Sequence, residues 1–345
     1  MQRCFKESRT KWAIYSLLFL ASVHCARSVF LVNVSGMDLA RYESGSESMP
    51  YQGRVAMMPV LRWAHRNGEI RKAAAFFNIS LHAIHHMHPA EEFTPEKFVS
   101  MLVGVLAVIA MTTSALVFGR RRVKDMWWLP AVLTLAMLYV SYAARYEMPY
   151  WYPYDLPHYA LFGIACLCLL EDASLPMFFL FLLDIPVRET SVYLIPLVLA
   201  TGYARNRMKK AAMSAACMLL ISIAVRMVIS RRFAANSNET GVHVRNMIVS
   251  FINPLHWPQI MSALGFFVVP LLLGYRYLSR VQRCFLLGAL PGVLLTLLFG
   301  IWYESRIWGE WILPASVLLS TEALAVYGRR ENPLTTETNE GLVQV

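Results

Sequence analysis

The sequence has few charged residues for its length. Only 16% of its 345 residues are Asp, Glu, Lys or Arg, whereas soluble domains average about 25%. Hydrophobic residues make up 57% of the chain, and the mean hydropathy is +0.45. This composition excludes an ordinary soluble domain. Apolar runs that approach or reach the length needed to cross ~30 Å of hydrocarbon recur along the chain, so the sequence predicts an all-α, polytopic membrane helix bundle.

Cysteine is also scarce, and its six positions indicate neither a disulfide framework nor a zinc knuckle. Nearly all lie within or beside apolar runs, and none falls in the longest polar segment. Cys166 and Cys168 form a C-x-C pair inside an apolar run, where small buried side chains are the simpler interpretation. We find no internal repeat, and we expect no cofactor and no metal ion at the site described below.

The apolar runs predict about ten spans, which places both termini on one side of the membrane. The predicted spans cover residues 12–34, 98–119, 126–142, 158–170, 175–187, 191–203, 211–230, 259–277, 284–302 and 311–327. Residues 1–330 would form a single transmembrane domain with a long exterior loop at 35–97. A disordered cytoplasmic tail would follow at 331–345.

Three central spans are only about thirteen residues long, or roughly 20 Å as a helix. That is too short for a simple crossing, so we expect short, broken or re-entrant helices in this region. Pro176, Pro186 and Pro196 support this expectation because each removes a backbone donor.

Basic residues outnumber acidic ones by 32 to 22, for a formal net charge of +10. Short loops on the side of the termini contain 17 Lys and Arg residues, and the opposite short loops contain six. Because short cytoplasmic loops contain the excess of basic residues, both termini are predicted to lie in the cytoplasm, below an inner or plasma membrane. The positive charge then reflects orientation, and no nucleic-acid partner is expected.

The first candidate site residues follow the first predicted span. Asp38 at this interface could take a proton from a substrate hydroxyl; the alternative is a helix N-cap, for which Asp is a preferred residue. Arg54 follows a turn at the start of an apolar segment. Its planar guanidinium suits phosphate, although an interfacial arginine can also simply extend to lipid head groups.

An aromatic cluster at 150–157 contains Tyr154 and Asp155. Stacked rings beside a carboxylate suit a sugar, and the alternative is an aromatic belt at the membrane interface. Farther along, Asp184 lies within an apolar run, and Arg188 and Glu189 follow it between two very short spans. Charges so close to hydrocarbon predict a functional site; a buried ion pair joining two half-helices is the alternative.

Asp184 could also pair with the intramembrane residues Arg27 or Arg226. Between the last two spans, Arg306 and Glu310 are spaced i, i+4 and could bridge on a helical turn, leaving Glu304 free for another partner. A dense histidine run suggests either a divalent ion or the polar face of an interfacial helix. It contains His82, His85, His86 and His88.

Together, these stretches resemble the GT-C class of integral membrane glycosyltransferases, and more closely a group of uncharacterised bacterial multi-pass membrane proteins related to it. The matching residues are Asp38 with Tyr42, Arg54 with Pro59, Tyr154 with Asp155, Arg188 with Glu189 and Thr190, and Glu304 with Arg306, Glu310 and Pro314. The resemblance implies a GT-C-like bundle and places the catalytic base on Asp38. It implies donor contacts for Arg54, Tyr154, Asp155, Arg188, Glu189, Glu304, Arg306 and Glu310.

An exterior-facing transferase needs a lipid-borne donor, because nucleotide sugars are not available outside the cytoplasm. The predicted donor is a polyprenyl-phosphate sugar, and the predicted acceptor is a hydroxyl of a glycan or lipid. Asp38 would activate that hydroxyl, while Arg54 with Arg188 or Arg306 would hold the departing phosphate. Two other functions fit the sequence: a transporter or flippase, whose site should lie near the membrane midplane, and a non-catalytic scaffold.

Overall fold

The computed structural model describes residues 2–83, 89–142, 150–237, 252–257, 268–299 and 305–331. In this part the chain is almost entirely helical, which confirms the predicted all-α class. The helices and strands in chain order are α1 (Gln2–Val32), β1 (Val34–Ser35), α2 (Leu39–Ser44), α3 (Met58–Arg66), α4 (Gly68–Ala83), α5 (Pro95–Arg122), α6 (Leu129–Tyr142), β2 (Tyr150–Trp151), α7 (Asp155–Leu170), α8 (Ser174–Asp184), α9 (Leu194–Ala204), α10 (Met208–Arg232), α11 (Val268–Leu273), α12 (Arg280–Phe299) and α13 (Ile312–Glu331).

Four described helices are long and apolar enough to cross a membrane, fewer than the ten spans that the sequence predicts. They cover Thr10–Val32, Pro95–Arg122, Met208–Arg232 and Arg280–Leu298. The central helices are shorter: α7 has 16 residues, and α8 and α9 have 11 each. At 1.5 Å per residue they are roughly 16–24 Å long, which confirms the prediction of short central helices and explains part of the difference in number.

Prolines begin and end these short helices rather than breaking them. Pro176 is the third residue of α8 and Pro196 the third residue of α9. In the first turn of a helix the backbone N–H groups have no acceptor within the helix, so a proline there loses no helical hydrogen bond. Pro186 follows the end of α8, where the backbone N–H groups of Val187 and Arg188 both donate to the Asp184 carbonyl. The chain turns here and directs the next polar side chains back toward the bundle.

Helix α7 lies at the centre and packs against α5, α8 and α13. Its Tyr159, Phe162 and Cys166 are fully buried. At Gly163, an added Cβ would lie 2.8 Å from the Leu313 Cβ, so the glycine permits the close approach of α7 and α13. In a membrane, such small residues stabilise helix contacts through close packing rather than through exclusion of water.

A short parallel sheet connects the end of α1 to the start of α7. Val34 pairs with Tyr150 and Ser35 with Trp151. Asp38 and Tyr154 each lie three residues beyond the second pair. The sheet therefore brings the segment after the first long helix next to the aromatic segment that precedes α7.

Candidate functional site

Six of the sequence-predicted site residues meet at one end of the helix bundle. The ends of α6, α8 and α10, the beginning of α7, and the 3₁₀ turns that precede α9 and α13 are joined there by hydrogen bonds. Separate segments of the chain thus contribute to one polar network. We call it the helix-end network, and it comprises Arg54, Tyr142, Tyr154, Asp155, His158, Tyr159, Asp184, Arg188, Glu189, Thr190, Arg226 and Glu310.

Arg54 forms a two-pronged ion pair with Glu189. Its Nε donates to Oε2 at 3.0 Å, and its Nη2 bonds to Oε1. Its Nη1 donates to the Tyr154 hydroxyl at 2.8 Å. The Arg54 side chain is 8% exposed and that of Glu189 is 39% exposed. Charge-assisted pairs of this fork geometry fix orientation as well as adding stability, so Arg54 is held in one direction while Glu189 remains open to solvent.

Aromatic residues surround Arg54 and restrict its backbone. The buried Tyr42 hydroxyl donates to the Arg54 carbonyl. Tyr51 and Tyr152 stack with ring centroids 5.6 Å apart, and Tyr152 in turn lies 5.5 Å from Tyr154. The aromatic segment is thus packed within the protein rather than forming only a belt at the lipid interface.

A second ion pair joins Asp155 to Arg188. The Arg188 Nη1 lies 3.4 Å from Asp155 Oδ1, and both side chains are at least 94% buried. The Tyr142 hydroxyl donates to Asp155 Oδ2 at 3.2 Å and lies 2.9 Å from the Tyr159 hydroxyl. Asp155 is therefore held from two sides at the first turn of α7.

His158 lies between two carboxylates in the most buried part of the network. Its Nδ1 lies 2.8 Å from Asp184 Oδ1 and its Nε2 lies 2.8 Å from Glu310 Oε2, with all three side chains fully buried. A neutral imidazole has only one N–H, so bonding to two carboxyl groups requires one additional proton on the ring or on an acid. The ring nitrogens point in different directions, an arrangement that does not suit shared coordination of one metal ion.

Thr190 completes this buried group. Its hydroxyl donates to Glu310 Oε2 at 2.7 Å and lies 2.9 Å from His158 Nε2. Among the described residues, Asp184 Oδ2 and Glu310 Oε1 have no hydrogen-bond partner. Buried polar atoms are normally paired, so these two oxygens indicate that the group has capacity for a further donor.

Arg226 holds two turns of the site together through their backbones. Its Nη1 donates to the Gly53 carbonyl at 2.9 Å and its Nη2 to the Ile185 carbonyl at 2.7 Å. The structure shows Asp184 bonded to His158, so the expected pairing of Asp184 with Arg226 or Arg27 is wrong. Arg226 instead fixes the backbone beside Arg54 and beside Asp184.

Electrostatics favour the charged forms of the residues around Arg54. Burial opposes ionisation of Glu189, but the adjacent Arg54 guanidinium holds the pKa of Glu189 well below its usual value. Burial similarly opposes the charge on Arg188, yet Asp155 raises the pKa of Arg188 above its usual value. The charge of Arg54 opposes that of Arg188, and each arginine is paired with a carboxylate, Glu189 and Asp155, that offsets the repulsion.

Asp38 lies beside this network but is not bonded to it. Its Oδ1 accepts the backbone N–H groups of Ala40 at 3.0 Å and Arg41 at 3.1 Å, so it is the N-cap of α2. Among the described residues, it forms no hydrogen bond or ion pair with Arg54 or Glu189. It lines a cavity of about 740 Å³ to which Trp151 also contributes, a volume within the ~300–1,000 Å³ range of ligand pockets.

The helical turn that Asp38 caps connects the cavity to the helix-end network. Tyr42 follows Asp38 by one turn, about 5.4 Å along the helix, and its backbone N–H donates to the Asp38 carbonyl at 2.9 Å. The Tyr42 side chain reaches the Arg54 carbonyl. Helix α2 thus links the two: Asp38 at its N-cap lines the cavity, and Tyr42 contacts the backbone of Arg54, although no network residue lines the cavity itself.

Six predicted site residues belong to the network: Arg54, Tyr154, Asp155, Arg188, Glu189 and Glu310. The sequence also singles out Asp184, Thr190 and Arg226, but not Tyr142, His158 or Tyr159. His158 was overlooked because it was counted as the first residue of an apolar span, although its i, i+3 spacing from Asp155 places both at the same helix end. Glu304 and the side chain of Arg306 lie outside the described residues, as do His85, His86 and His88 of the histidine run, so the expected Arg306–Glu310 bridge stays a prediction.

The arrangement can hold an anion and exchange protons. Two arginines, each paired with a carboxylate, lie at one end of the bundle, and one of these carboxylates, Glu189, is partly exposed. Comparisons with models of protein families, with curated proteins and with solved structures gave no match to this chain.

Proposed function

We propose that the protein is a GT-C-type membrane glycosyltransferase that moves a sugar from a polyprenyl-phosphate donor to an extracytoplasmic acceptor hydroxyl. In this proposal the termini lie in the cytoplasm and the helix-end network faces the exterior of an inner or plasma membrane. The observation that supports it most is that Arg54 and Arg188, each paired with a carboxylate, belong to one helix-end network, which α2 links to a cavity lined by Asp38.

The two arginines have the chemistry needed to hold a departing phosphate. A guanidinium has five N–H groups, and Arg54 uses three for Glu189 and Tyr154, so two remain for a ligand. Arg188 Nε has no partner among the described residues. Positively charged donors fixed in advance stabilise the charge that grows on a leaving group without rearranging during the reaction.

Asp38 would be the base. The acceptor oxygen attacks the anomeric carbon, the bond from that carbon to the phosphate oxygen breaks, and the hydroxyl proton moves to the Asp38 carboxylate. Polyprenyl phosphate leaves with the bonding electrons, and configuration at the anomeric carbon inverts. The Asp38 cavity, at about 740 Å³, is large enough for a sugar and part of an acceptor.

The predicted topology supports a transferase over a transporter. A transporter that alternates access between the two sides has its site near the midplane of the membrane, built from the ends of broken helices. The turns that contribute to the network instead fall in loops predicted to be exterior. Glu310 and Thr190 lie in the 3₁₀ turns before α13 and α9, and Asp184 is the last residue of α8.

One feature favours the second candidate, a proton-coupled transporter or flippase. His158 between Asp184 and Glu310 is the kind of buried acid–histidine group that forms proton relays in membrane proteins. Under this alternative, proteoliposomes with a pH gradient would accumulate a polar or lipid-linked substrate, and no bond of the substrate would be broken.

The transferase proposal is tested with the purified full chain in proteoliposomes, supplied with a panel of polyprenyl-phosphate hexoses and membrane glycan acceptors. We expect release of polyprenyl phosphate by the wild type and loss of release by Arg54→Lys, which retains charge but not the guanidinium fork. Arg41→Lys, at an exposed position on α2, is the control and should keep activity. Identical membrane glycans from cells with and without the gene would contradict the proposal.

A further inference from the structure

The cavity beside the helix-end network contains a second group of side chains, formed by Glu43, His65 and Glu96. Each contributes one atom, and these three atoms lie within 4.8 Å of one another. They come from three helices: Glu43 from the last turn of α2, His65 from the last turn of α3, and Glu96 from the first turn of α5. All three line the cavity. We propose that they bind a divalent transition-metal ion, a site separate from the arginine pair and independent of the proposed sugar transfer.

The spacing of the donor atoms fits a metal ion. A tetrahedral zinc ion with bonds of ~2.0–2.1 Å separates its ligand atoms by ~3.3 Å. His65 Nδ1 lies 2.7 Å from Glu96 Oε1 and 3.6 Å from Glu43 Oε2. These separations lie on either side of the ideal value, so small side-chain rotations suffice to place all three atoms around one ion. One imidazole with two carboxylates is a ligand set for Zn²⁺ or Mn²⁺.

Charge around the group points to a missing cation. The Glu96 side chain is only 9% exposed and that of Glu43 only 16%. The described ion pairs of both carboxylates run only to His65, whereas nearby Glu91 has Lys97 within 3.7 Å. Two largely buried carboxylates this close together repel each other unless a cation lies between them. A divalent ion supplies two positive charges at the point where both acids meet.

The surrounding structure holds the ligands in position and leaves a route for the ion. Arg62 Nε donates to the Glu43 carbonyl at 2.6 Å and ties α3 to α2. Thr94 caps α5 through the N–H of Lys97 at 3.2 Å, which orders the turn that contains Glu96. The His65 side chain is 61% exposed, so an ion reaches the group from solvent. Three protein ligands leave a fourth position that faces the cavity.

The lining of the cavity attracts cations in general, which makes a matched control necessary. Its five acidic residues, which outnumber the basic residues Arg71 and Lys97, are Asp38, Glu43, Glu91, Glu92 and Glu96. Glu92 lies in the same cavity but outside the cluster. Glu92→Gln therefore removes one unit of negative charge without removing a ligand. Glu43→Gln and Glu96→Gln each remove the same charge and also a ligand carboxylate, which is replaced by an amide of nearly the same shape.

Zinc binding to the full-length protein tests the proposal. The chain is stripped with a chelator in detergent micelles, and Zn²⁺ is titrated by calorimetry and by equilibrium dialysis with elemental analysis. We expect one bound Zn²⁺ per chain that raises the unfolding temperature by mass action. The double variant Glu43→Gln/Glu96→Gln should weaken this binding by at least tenfold and lose the temperature increase, while Glu92→Gln should change the affinity less than threefold.

His65→Ala provides a second, independent variant, because its exposed side chain can be removed without opening the core. It should lose the same zinc ion, and a cooperative unfolding transition measured without metal should show that the variant still folds. Unchanged zinc stoichiometry and affinity in both the double variant and His65→Ala would overturn the proposal. An equal loss of affinity in Glu92→Gln would also overturn it, since that result indicates attraction to diffuse negative charge.

Discussion

Arg54 binds both carboxylate oxygens of Glu189, a residue 135 positions later in the chain. The pair links the turn before α3 to the turn before α9. Because Arg54 also donates to Tyr154 before α7, one guanidinium joins three distant segments at the end of the bundle. The proposed function depends on this convergence, and so does the local stability of the site.

A double-mutant cycle on Arg54→Gln and Glu189→Gln should measure this link. We expect Arg54→Gln to lower the free energy of unfolding by about 2 kcal/mol, less than the ~3–5 kcal/mol for a fully buried pair, because Glu189 is 39% exposed. The double variant should lose less than the sum of the two single variants. Additive losses in thermal unfolding would contradict a direct pair; Arg41→Gln serves as the exposed control.

The Arg54–Glu189 pair should make the free energy of unfolding depend on pH. The pKa of Glu189 is lowered in the folded protein, since Arg54 outweighs the effect of burial. Its stabilisation is therefore fully present above the unfolded glutamate value, ~4.3, and is lost as the pH falls toward the lower folded value. The stability difference between wild type and Glu189→Gln should be largest near pH 6 and shrink below pH ~4. A difference that grows on acidification would contradict this assignment.

Removing the imidazole between two carboxylates should destabilise the protein strongly. His158→Ala leaves Asp184 and Glu310 buried without their shared partner, and we expect a loss of about 3–5 kcal/mol. His24→Ala, at an exposed position on α1, is the matched control and should have a much smaller effect. Chemical denaturation in detergent micelles compares the two. Equal losses would show that His158 does not hold the buried group together.

Glycine at position 36 should be required by the close packing of the segment after β1 against Tyr152. An added Cβ would lie 2.3 Å from Cζ of Tyr152, whose ring is buried and stacked on Tyr51. Gly36→Ala should therefore cost about 1–3 kcal/mol through overpacking. At Gly68 an added Cβ meets no atom within 4 Å. Gly68→Ala should leave stability unchanged or slightly increased, and a similar loss in both variants would contradict the packing argument.

Much of this architecture is readable from the sequence, and the parts that are not have a physical reason. A charge beside an apolar run, such as Arg188 or Glu189, is energetically costly near hydrocarbon. The neighbouring sequence is therefore enough to predict that such a residue has a role. Their partners are not local: Arg188 binds Asp155, 33 residues away, through the packing of α7 against its neighbours. Periodicity alone does not identify such partners.

The sequence predicts a helix cap more reliably than the number of membrane-spanning helices. The preference of Asp for N-caps predicted one role of Asp38, and the structure confirms that role. The sequence predicts ten spans because every apolar run is counted, including three that are too short for a simple crossing. The short α8 and α9 show that an apolar run in this chain is not always a full crossing.

The N-cap also allows a clean test of Asp38, because asparagine caps helices as well as aspartate does. Asp38→Asn should keep the unfolding temperature, whereas Asp38→Ala should lose about 1 kcal/mol of stability.

The most direct measurement of the central claim is polyprenyl-phosphate release by wild type and Asp38→Asn in matched proteoliposomes. The account predicts a loss of at least ~10²-fold in the folded Asp38→Asn variant. Equal release rates in the two proteins would contradict it.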